Sequence, residues 1–353
     1  MDRALFLAAR GRGRTSPNPM VGAVIVSRDG VVVGQGYHER AGEPHAEVHA
    51  LAAAGSQARG ATLYCTLEPC CHQGRTGPCV TRIVDAGIAR VVAAVEDPNP
   101  LVRGRGFAFL RSAGIEVDIG LRAAPATALN QPFFTLIREH RPFVIVKAAT
   151  SLDGRIAEAP GRRTLLTSSA ANRHAQRMRA EVDAIGVGVG TVLVDDPILT
   201  PRGAFRERPV TRVIFDRTLR TPATARLLST RDAGPVIIVT TATDASRAEA
   251  RTALESAGAD IVVTDGTFRS GLAALGARQI GSLLLEGGAA LHASAWRERL
   301  VDYVRLYVTP HVLGAGGVPL LPECAVGPSE LFDRRIEPLG PDVLIEGYVH
   351  RPC

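Results

Sequence analysis

The feature that most constrains how this chain can fold is a set of metal-binding side chains divided between two distant segments. The first segment is Pro44-His45-Ala46-Glu47, directly before a predicted helix, and the second runs from Pro69-Cys70 to Cys79. Two thiolates and one neutral imidazole balance the charge of Zn²⁺ and leave its fourth position open for water. The fold is therefore expected to bring His45, Cys70 and Cys79 around one zinc ion.

A His-x-Glu segment followed by Pro-Cys and a further Cys is typical of zinc-dependent nucleobase deaminases. Zinc acidifies a bound water, and Glu47 is expected to carry its proton to the departing amine without binding the metal. A structural zinc site would need a fourth protein ligand, for which the sequence offers Cys65, Cys71, His49 and His72. The i, i+4 spacing of His45 and His49 also occurs in metalloproteases, but Glu47 lies at the wrong offset for that motif. We therefore predict a catalytic zinc.

The separation of the two cysteine ligands distinguishes this chain from simpler deaminases. Cytidine and nucleic-acid deaminases carry Pro-Cys-x-x-Cys, whereas here Gln73 stands at the position of the second cysteine and the next thiol is Cys79. The loop between them carries His72, Arg75 and Thr76. Its polar and basic character favours a substrate larger than a free base, with a phosphorylated sugar to bind.

At 353 residues the chain exceeds the usual size of one domain, so two domains are expected. Both halves alternate predicted strands with predicted helices, which indicates the α/β class, with helices packed on the faces of a sheet. In the first half Val21–Val26 and Val31–Gly36 form a predicted hairpin, so its sheet is mixed. A helical connector over 121–142 follows, and the predicted domains are 1–142 and 143–353.

Composition limits where the chain works and what it binds. No apolar stretch is long enough for a signal peptide or a membrane span. A cytoplasmic location without membrane contact is expected, in which the six cysteines are thiols or metal ligands rather than disulfides. The net charge is +6 and the pI about 9.3, but the basic residues are spread along the whole chain. We therefore predict small anionic substrates such as phosphate esters, and no nucleic-acid partner.

Several motifs together resemble one family of enzymes. They are Pro17-Asn18-Pro19-x-Val21-Gly22, Gly36-Tyr37-His38, His45-Ala46-Glu47-Val48-His49-Ala50, the Pro-Cys-x8-Cys loop with Gly74-Arg75-Thr76, and Asp97-Pro98-Asn99-Pro100. In this combination the chain resembles, essentially from end to end, the bifunctional riboflavin-biosynthesis deaminase/reductase. Two positions depart from the family pattern. Cys71 stands where Ser is common, which leaves open which adjacent thiol binds zinc, and Gly77 stands where Pro is common.

The resemblance implies two reactions and two folds. A cytidine-deaminase-like domain would deaminate diaminohydroxyphosphoribosylaminopyrimidine, and a dihydrofolate-reductase-like domain would then reduce the ribosyl side chain to ribityl with NADPH. A homo-oligomer, either a dimer or a tetramer, is also expected. Asn18, His38, His72 and Arg75 resemble the family's contacts to the pyrimidine and its phosphoribosyl arm.

In the second half, glycines at predicted strand ends indicate a nucleotide pocket. They lie in Gly186–Thr191 and Glu286–Ala289, where backbone amides and a helix N-terminus can approach a pyrophosphate. No Gly-x-Gly-x-x-Gly fingerprint opens a βαβ unit, so a fold other than the Rossmann fold is preferred. By resemblance, the dinucleotide contacts are Ala149, Leu165, Thr191, Asp195, Gly288, Ala289, Ala290, Leu291, His292, Ala293 and Ser294. By resemblance, the substrate contacts are Arg163, Arg179, Leu199, Arg202 and Glu286.

Two basic residues are expected to have specific roles in this pocket. Arg217 follows a predicted strand and is placed to meet the 2′-phosphate that separates NADP from NAD. Lys147 is the only lysine among the 41 Lys and Arg residues, which suggests that an ammonium is needed there, with codon chance as the alternative. Together with Asp195 and Glu286, Lys147 is expected to polarise the sugar hydroxyls and the imine formed by ring opening.

Two other functions are compatible with parts of the sequence. One is a nucleoside or nucleic-acid deaminase whose second domain only binds, although the long ligand loop and the set Lys147, Asp195 and Glu286 argue against it. The other is a zinc-stabilised nucleic-acid-binding protein, which the pI alone suggests. That second protein would bind nucleic acid in a salt-dependent way and would tolerate the loss of Glu47.

Overall fold

The computed structural model describes residues 1–72, 77–241, 247–321 and 331–351. The chain divides into two compact units, Met1–Glu139 and His140–Arg351. Each unit has its own sheet and its own buried apolar core. Within the described part of the chain, no helix combines the length and the apolar character needed to cross a membrane.

The first unit is a mixed five-stranded sheet covered by helices. Its sheet has the order β2-β1-β3-β4-β5, in which β1 is antiparallel to β2 and β3, and β3, β4 and β5 are parallel. This confirms the mixed sheet predicted for the first half. The elements are α1 (Asp2–Ala9), β1 (Gly22–Val26), β2 (Val32–Tyr37), α2 (Ala46–Ala54), β3 (Thr62–Cys65), α3 (Cys79–Asp85), β4 (Arg90–Ala93), α4 (Arg105–Ser112), β5 (Glu116–Ile119), α5 (Ala123–Leu129) and α6 (Gln131–Glu139).

Close packing of α2 on the hairpin positions the start of that helix. At Gly34 a Cβ atom would collide with the carbonyl oxygen of Ala50, and at Gly36 it would collide with the side chain of His49. Glycine at these two strand positions therefore lets the helix backbone approach the sheet. His45, which immediately precedes α2, is held against the sheet as a result.

The second unit is built on a nine-stranded sheet of order β11-β10-β9-β8-β12-β6-β13-β16-β15, beside a small β14-β7 pair. Its strands are β6 (Phe143–Thr150), β7 (Arg155–Ala157), β8 (Ala184–Gly188), β9 (Thr211–Phe215), β10 (Val236–Thr240), β11 (Ala259–Val263), β12 (Ser282–Glu286), β13 (Tyr303–Val308), β14 (Val318–Pro319), β15 (Phe332–Leu339) and β16 (Asp342–Tyr348). Its helices are α7 (Ser169–Glu181), α8 (Val189–Asp195), α9 (Arg226–Ser229), α10 (Ala248–Ser256), α11 (Phe268–Ala277) and α12 (Ala289–Arg297).

Parallel pairing in the centre of this sheet gathers the predicted pocket residues at one edge. Strands β8, β12, β6 and β13 run parallel, so their carboxyl ends lie together. In this register Glu286 on β12 is directly opposite Lys147 on β6. Such an edge is where open α/β sheets bind their ligands. Only the last strands, β16 and β15, are antiparallel to their neighbours.

Some predicted boundaries are wrong for identifiable reasons. The sequence does not indicate β5, β7 or β15; in β15, seven of its eight residues are exposed, so no apolar alternation marks it. Strand β11 begins at Ala259 rather than Ile261. The predicted helical connector divides into α5 and α6 at Asn130. The Asn130 side chain pairs with the backbone N–H and carbonyl of Met20, at 2.8 and 2.9 Å.

Candidate active sites

The three predicted metal ligands meet in the first unit. His45 immediately precedes α2, and Cys79 begins α3 after Pro78, so two helix starts converge on the segment that carries Cys70. Nδ1 of His45 lies 3.4 Å from Sγ of Cys70 and 3.4 Å from Sγ of Cys79. The local fold therefore brings two distant sequence segments into one cluster.

The geometry of this cluster fits zinc. Its three ligand atoms all lie within 4.8 Å of one another. In a tetrahedral zinc site, Zn–S bonds of about 2.3 Å and Zn–N bonds of about 2.0 Å place S and N about 3.5 Å apart, close to the observed separation. Hydrogen bonding by Cys79 and His45 outweighs burial and lowers the pKa of Cys70, which favours its thiolate, the form that binds metal. The same hydrogen bond raises the pKa of Cys79, because the two thiols share one proton.

The alternative four-ligand site does not form among the described residues. No other His, Cys, Asp or Glu of the described ranges joins the cluster of His45, Cys70 and Cys79. Sγ of Cys71 donates instead to the carbonyl of Leu101 at 3.7 Å. Among the described residues, the cluster therefore offers three ligands and leaves the fourth coordination position of the metal open, as a catalytic zinc site requires.

Glu47 is a buried carboxyl group next to the metal ligands. Its side chain is 3% exposed, and Oε2 has no hydrogen-bond partner among the described residues. Burial raises the pKa of Glu47 to about 7, although the nearby His45 lowers it. A buried oxygen of this kind is costly unless a ligand uses it. The position of Glu47 is compatible with its predicted role as a proton carrier.

Two of the four predicted pyrimidine-site residues form a pair beside the cluster. Nδ2 of Asn18 lies 3.2 Å from Nε2 of His38, and Nδ1 of His38 lies 3.2 Å from the carbonyl of Pro44. The ring of His38 packs edge-on against His45 with centroids 5.3 Å apart. Burial lowers the pKa of His38, so its imidazole is neutral near pH 7. Nδ1 of His72 is buried without a hydrogen-bond partner in the described part.

Arg75 lies outside the described residues, so its predicted contact stays a prediction. A residue that the sequence analysis missed lies nearby. Glu68 is 3% exposed and accepts hydrogen bonds from four backbone N–H groups, those of Asp97, Gly104, Gly106 and Phe107. It thereby ties the Pro69-Cys70 segment to the start of α4. The one sequence feature that could have indicated Glu68 is its position as a charged residue directly before Pro69-Cys70.

The second unit contains a cavity of about 650 Å³ at the carboxyl ends of its central strands. It is lined by most of the residues predicted for the nucleotide pocket. These are Lys147, Ala149, Arg163, Leu165, Arg179, Thr191, Asp195, Leu199, Arg202, Glu286, Gly288, Ala289, Ala290, Leu291 and His292. The predicted contacts Arg217, Ala293 and Ser294 are not among the described residues that line it.

An ion pair organises the floor of this cavity. Nε and Nη2 of Arg179 lie 3.0 and 2.6 Å from the two carboxylate oxygens of Glu286. Burial opposes ionisation of Glu286, but Arg179 outweighs it and the pKa of Glu286 falls to about 2. Burial also lowers the pKa of Lys147, an effect that the Glu286 carboxylate opposes and Arg179 reinforces. Glu286 is therefore ionised at neutral pH.

The glycine turn before α12 has the form of a phosphate cradle. Gly287 has φ 110°, and a Cβ atom there would lie 2.6 Å from Oγ1 of Thr191. The Gly288 N–H donates to the same hydroxyl at 3.2 Å. Oδ1 of Asp195 is buried without a hydrogen-bond partner in the described part, 3.9 Å from Nε of Arg163. A helix N-terminus with open backbone approach suits a dinucleotide.

Two arginines that the sequence analysis did not single out also line the cavity. They are Arg162 and Arg226. The Arg226 N–H donates to Oδ1 of Asp196 at 2.9 Å, which fixes the start of α9 beside the cavity. In a chain so rich in arginine, no sequence signal separates these two from the others.

Comparison with known proteins assigns each part of the chain to a known domain family. Residues 1–95 match the cytidine and deoxycytidylate deaminase zinc-binding region, and residues 142–345 match the RibD C-terminal domain. The chain is 41% identical to the riboflavin biosynthesis protein RibD of Aquifex aeolicus over 352 residues, covering 98% of this chain and 96% of that protein. It is also 41% identical to the RibD protein of Escherichia coli, covering 98% and 97%.

Solved structures show the same two-domain fold. Acinetobacter baumannii RibD is 37% identical, with a TM-score of 0.87 and coverage of 98% of this chain and 97% of that one. A diaminohydroxyphosphoribosylaminopyrimidine deaminase/5-amino-6-(5-phosphoribosylamino)uracil reductase from Thermotoga maritima is 34% identical, with a TM-score of 0.85 and coverage of 100% and 97%. The N-terminal domain is cytidine-deaminase-like and the C-terminal domain is the dihydrofolate-reductase-like RibD reductase domain. The chain thus belongs to the RibD family, the bifunctional deaminase/reductases of riboflavin biosynthesis.

Proposed function

We propose that this enzyme hydrolytically deaminates 2,5-diamino-6-(5-phosphoribosylamino)pyrimidin-4-one in its first domain. Its second domain then reduces the ribosyl side chain with NADPH, giving 5-amino-6-(5-phosphoribitylamino)uracil. The observation that carries the proposal is that one chain holds both a three-ligand metal cluster and a cavity floored by Lys147 and Glu286. The Thermotoga maritima relative carries the names of both activities.

In the deaminase, His45, Cys70 and Cys79 would hold the metal. Zinc, when bound, supplies the Lewis acidity that makes water nucleophilic near neutral pH. Glu47 takes the proton of the attacking water and delivers it to the leaving amine. The neutral pair Asn18 and His38 orients the pyrimidine ring beside the cluster, and His72 and Arg75 hold the phosphoribosyl arm.

In the reductase, the cavity walls hold the dinucleotide and the open-chain sugar. NADPH, when bound, supplies the hydride. Lys147, Asp195 and Glu286 polarise the sugar hydroxyls and the imine, and Arg179 keeps Glu286 ionised. The substrate phosphate is expected to meet Arg163 and Arg202, with Leu199 against the pyrimidine. The cofactor lies along Ala149, Leu165, Thr191 and the turn of α12, with its 2′-phosphate toward Arg217.

We further propose that the deaminase occupies 1–142 and the reductase 143–353, which the two compact units support. A cytoplasmic location is proposed because the Cys70 and Cys79 thiols must stay reduced to bind metal. Homo-oligomerisation is proposed as well. It is supported by β15, an exposed strand at the edge of its sheet, where another chain can add.

The decisive test is mass spectrometry of the purified protein with the diaminopyrimidine phosphate, with and without NADPH. Without NADPH we expect a product in which one amine has become a carbonyl. With NADPH we expect a second product that carries two more hydrogens. If NADPH causes no further change, the second domain only binds. If no deaminated product forms but the protein binds nucleic acid, the zinc-stabilised nucleic-acid-binding function would replace the proposal.

A further inference from the structure

An aromatic ring lies against the single lysine of this chain. In the sheet, Lys147 pairs with Glu286 on one side and with Arg305 of β13 on the other. Tyr307 is two residues further along β13, and Nζ of Lys147 lies 5.5 Å from the centre of its ring. The face of an aromatic ring attracts a cation at this distance, most strongly where water is excluded. Tyr307 is 0% exposed.

A residue of helix α7 holds the ring of Tyr307 in place. Its hydroxyl lies 2.8 Å from Nδ1 of His174, and the two rings meet at 62° with centroids 5.9 Å apart. Helix α7 also carries Arg179, the partner of Glu286. The apolar residues packed with Tyr307 are Ala149, Ala171, Ala175, Leu339 and Leu344. The ring is therefore fixed both by a hydrogen bond and by packing.

The charges that face Lys147 act on its ammonium form in opposite directions. Burial and Arg179 from α7 disfavour the charge, and Glu286 from β12 favours it. Glu286 is already bound by Arg179 through both oxygens. Burial lowers the pKa of His292 from α12 to about 4, so that ring is neutral. Arg305 from β13 is paired with a carboxylate of β16. The face of the Tyr307 ring, 5.5 Å from Nζ of Lys147, adds a further contact that stabilises the ammonium.

We propose that Tyr307, anchored by His174, is a positioning residue of the reductase that holds the Lys147 ammonium in place and in its charged form through the face of its ring. The proposal rests on the proposed role of Lys147 in reduction. Tyr307 need not touch substrate or cofactor. It acts through the lysine.

The test is the pH dependence of kcat/KM for reduction of the deaminated intermediate by NADPH, in Tyr307→Phe and Tyr307→Leu of the full chain. Phe keeps the ring and is expected to stay within about threefold of wild type. Leu removes the ring and is expected to lose about threefold to thirtyfold. Because a less stabilised ammonium releases its proton at lower pH, the alkaline limb of the Leu profile should move to lower pH. The variant Tyr307→Met also lacks a ring, and its side chain is similar in volume to that of Leu but more flexible. It should behave like Tyr307→Leu and replaces that variant if Tyr307→Leu does not fold.

Tyr303→Leu is the control, since it removes an aromatic ring from the same strand. That ring meets Tyr348 edge-on and the guanidinium of Arg305, rather than Lys147. This control should leave the alkaline limb in place, and deamination should be unchanged in every variant. Equal losses in Phe and Leu, or a loss in Leu without a shift of the limb, would overturn the proposal. Lys147→Arg separates the proposed role of Tyr307 from the proposed function of the reductase. If Lys147→Arg is impaired while Tyr307→Leu is normal, only the role of Tyr307 is refuted. If the wild-type protein does not reduce the intermediate, the proposed reductase function is refuted.

Discussion

At the scale of single residues, two buried glutamates show how the surroundings of a carboxyl group determine its pKa. Glu47 and Glu286 are both almost fully buried. Burial dominates at Glu47 and raises its pKa to about 7, whereas Arg179 overcomes burial at Glu286 and lowers its pKa to about 2. A carboxyl group without a fixed cation can exchange a proton, and one clamped by a guanidinium keeps its charge. The same residue type therefore suits two different roles.

Glu47→Gln should abolish deamination while zinc stays bound, because the carboxyl group moves a proton and does not bind the metal. We expect a loss of about a hundredfold or more in kcat. Metal content per chain and turnover should be measured on the same sample. Glu39→Gln, at an exposed position, is the control and should be active. Near-normal turnover, or zinc lost in step with activity, would contradict the assignment.

The adjacent thiols Cys70 and Cys71 should differ sharply in metal binding. Cys70→Ser should lose zinc, because its sulfur lies 3.4 Å from the ligand nitrogen of His45. Cys71→Ser should retain zinc, because that sulfur donates to a backbone carbonyl outside the cluster. Zinc per chain after dialysis is the measurement. The reverse pattern would identify Cys71 as the ligand.

Arg217→Ala should raise the KM for NADPH by about tenfold or more and leave that for NADH little changed, because a charge-assisted contact to the 2′-phosphate is lost. Arg226→Ala is the matched comparison, since Arg226 lines the cavity and Arg217 does not. Equal effects of Arg217→Ala on both cofactors would refute its role. A selective loss of NADPH binding in Arg226→Ala alone would move the phosphate contact to Arg226.

At the scale of elements, the metal cluster depends on how the starts of the neighbouring helices are held. Glycines in β2 admit the start of α2, and Glu68 binds the backbone N–H groups at the start of α4. A carboxylate at a helix start satisfies amides that have no partner inside the helix. These attachments leave little freedom to the segment that carries Cys70.

Glu68→Gln should destabilise the deaminase domain, because the amide group of Gln would face backbone donors that the carboxylate now satisfies. We expect a loss of about 2–3 kcal/mol in the free energy of unfolding. Urea unfolding of the full chain, with zinc retention followed in parallel, provides the measurement. Glu116→Gln is the control, since its side chain is 66% exposed, and it should change stability by less than about 0.5 kcal/mol. Equal stability of the two variants would show that the buried carboxylate is dispensable.

At the scale of the whole molecule, the two chemistries are distributed over two compact units. All three metal ligands belong to Met1–Glu139, and all residues that line the cavity belong to His140–Arg351. Each unit has its own apolar core.

Removal of zinc with a chelator should therefore abolish deamination and leave reduction of the deaminated intermediate unchanged. Re-addition of zinc should restore the first activity. Both rates can be followed on one preparation, deamination by product mass and reduction by NADPH absorbance. A parallel loss of both activities on chelation would show that the second unit needs the metal as well.

Much of this protein follows from the residue types alone. The thiols and imidazole of Cys70, Cys79 and His45 have the chemistry of zinc ligands, and the cluster forms as the spacing predicts. The α/β class and the mixed first sheet follow from apolar runs bounded by glycines. The strand-end glycines Gly188, Gly190, Gly287 and Gly288 predict the cavity edge, because such turns let a ligand approach the backbone.

Other features were decided only by the tertiary structure. The pairing of Arg179 with Glu286, the four amides on Glu68 and the ring of Tyr307 against Lys147 join residues far apart in the chain. Strand register places Tyr307 near Lys147, and the packing of helices and loops against the sheets makes the other two contacts. Both depend on the burial of whole faces rather than on any local motif. Strand β15 shows the same limit, since its exposed residues carry no alternation. Residue types thus determine which chemistry is available to this protein, while packing determines which side chains meet and therefore which of them hold a charge.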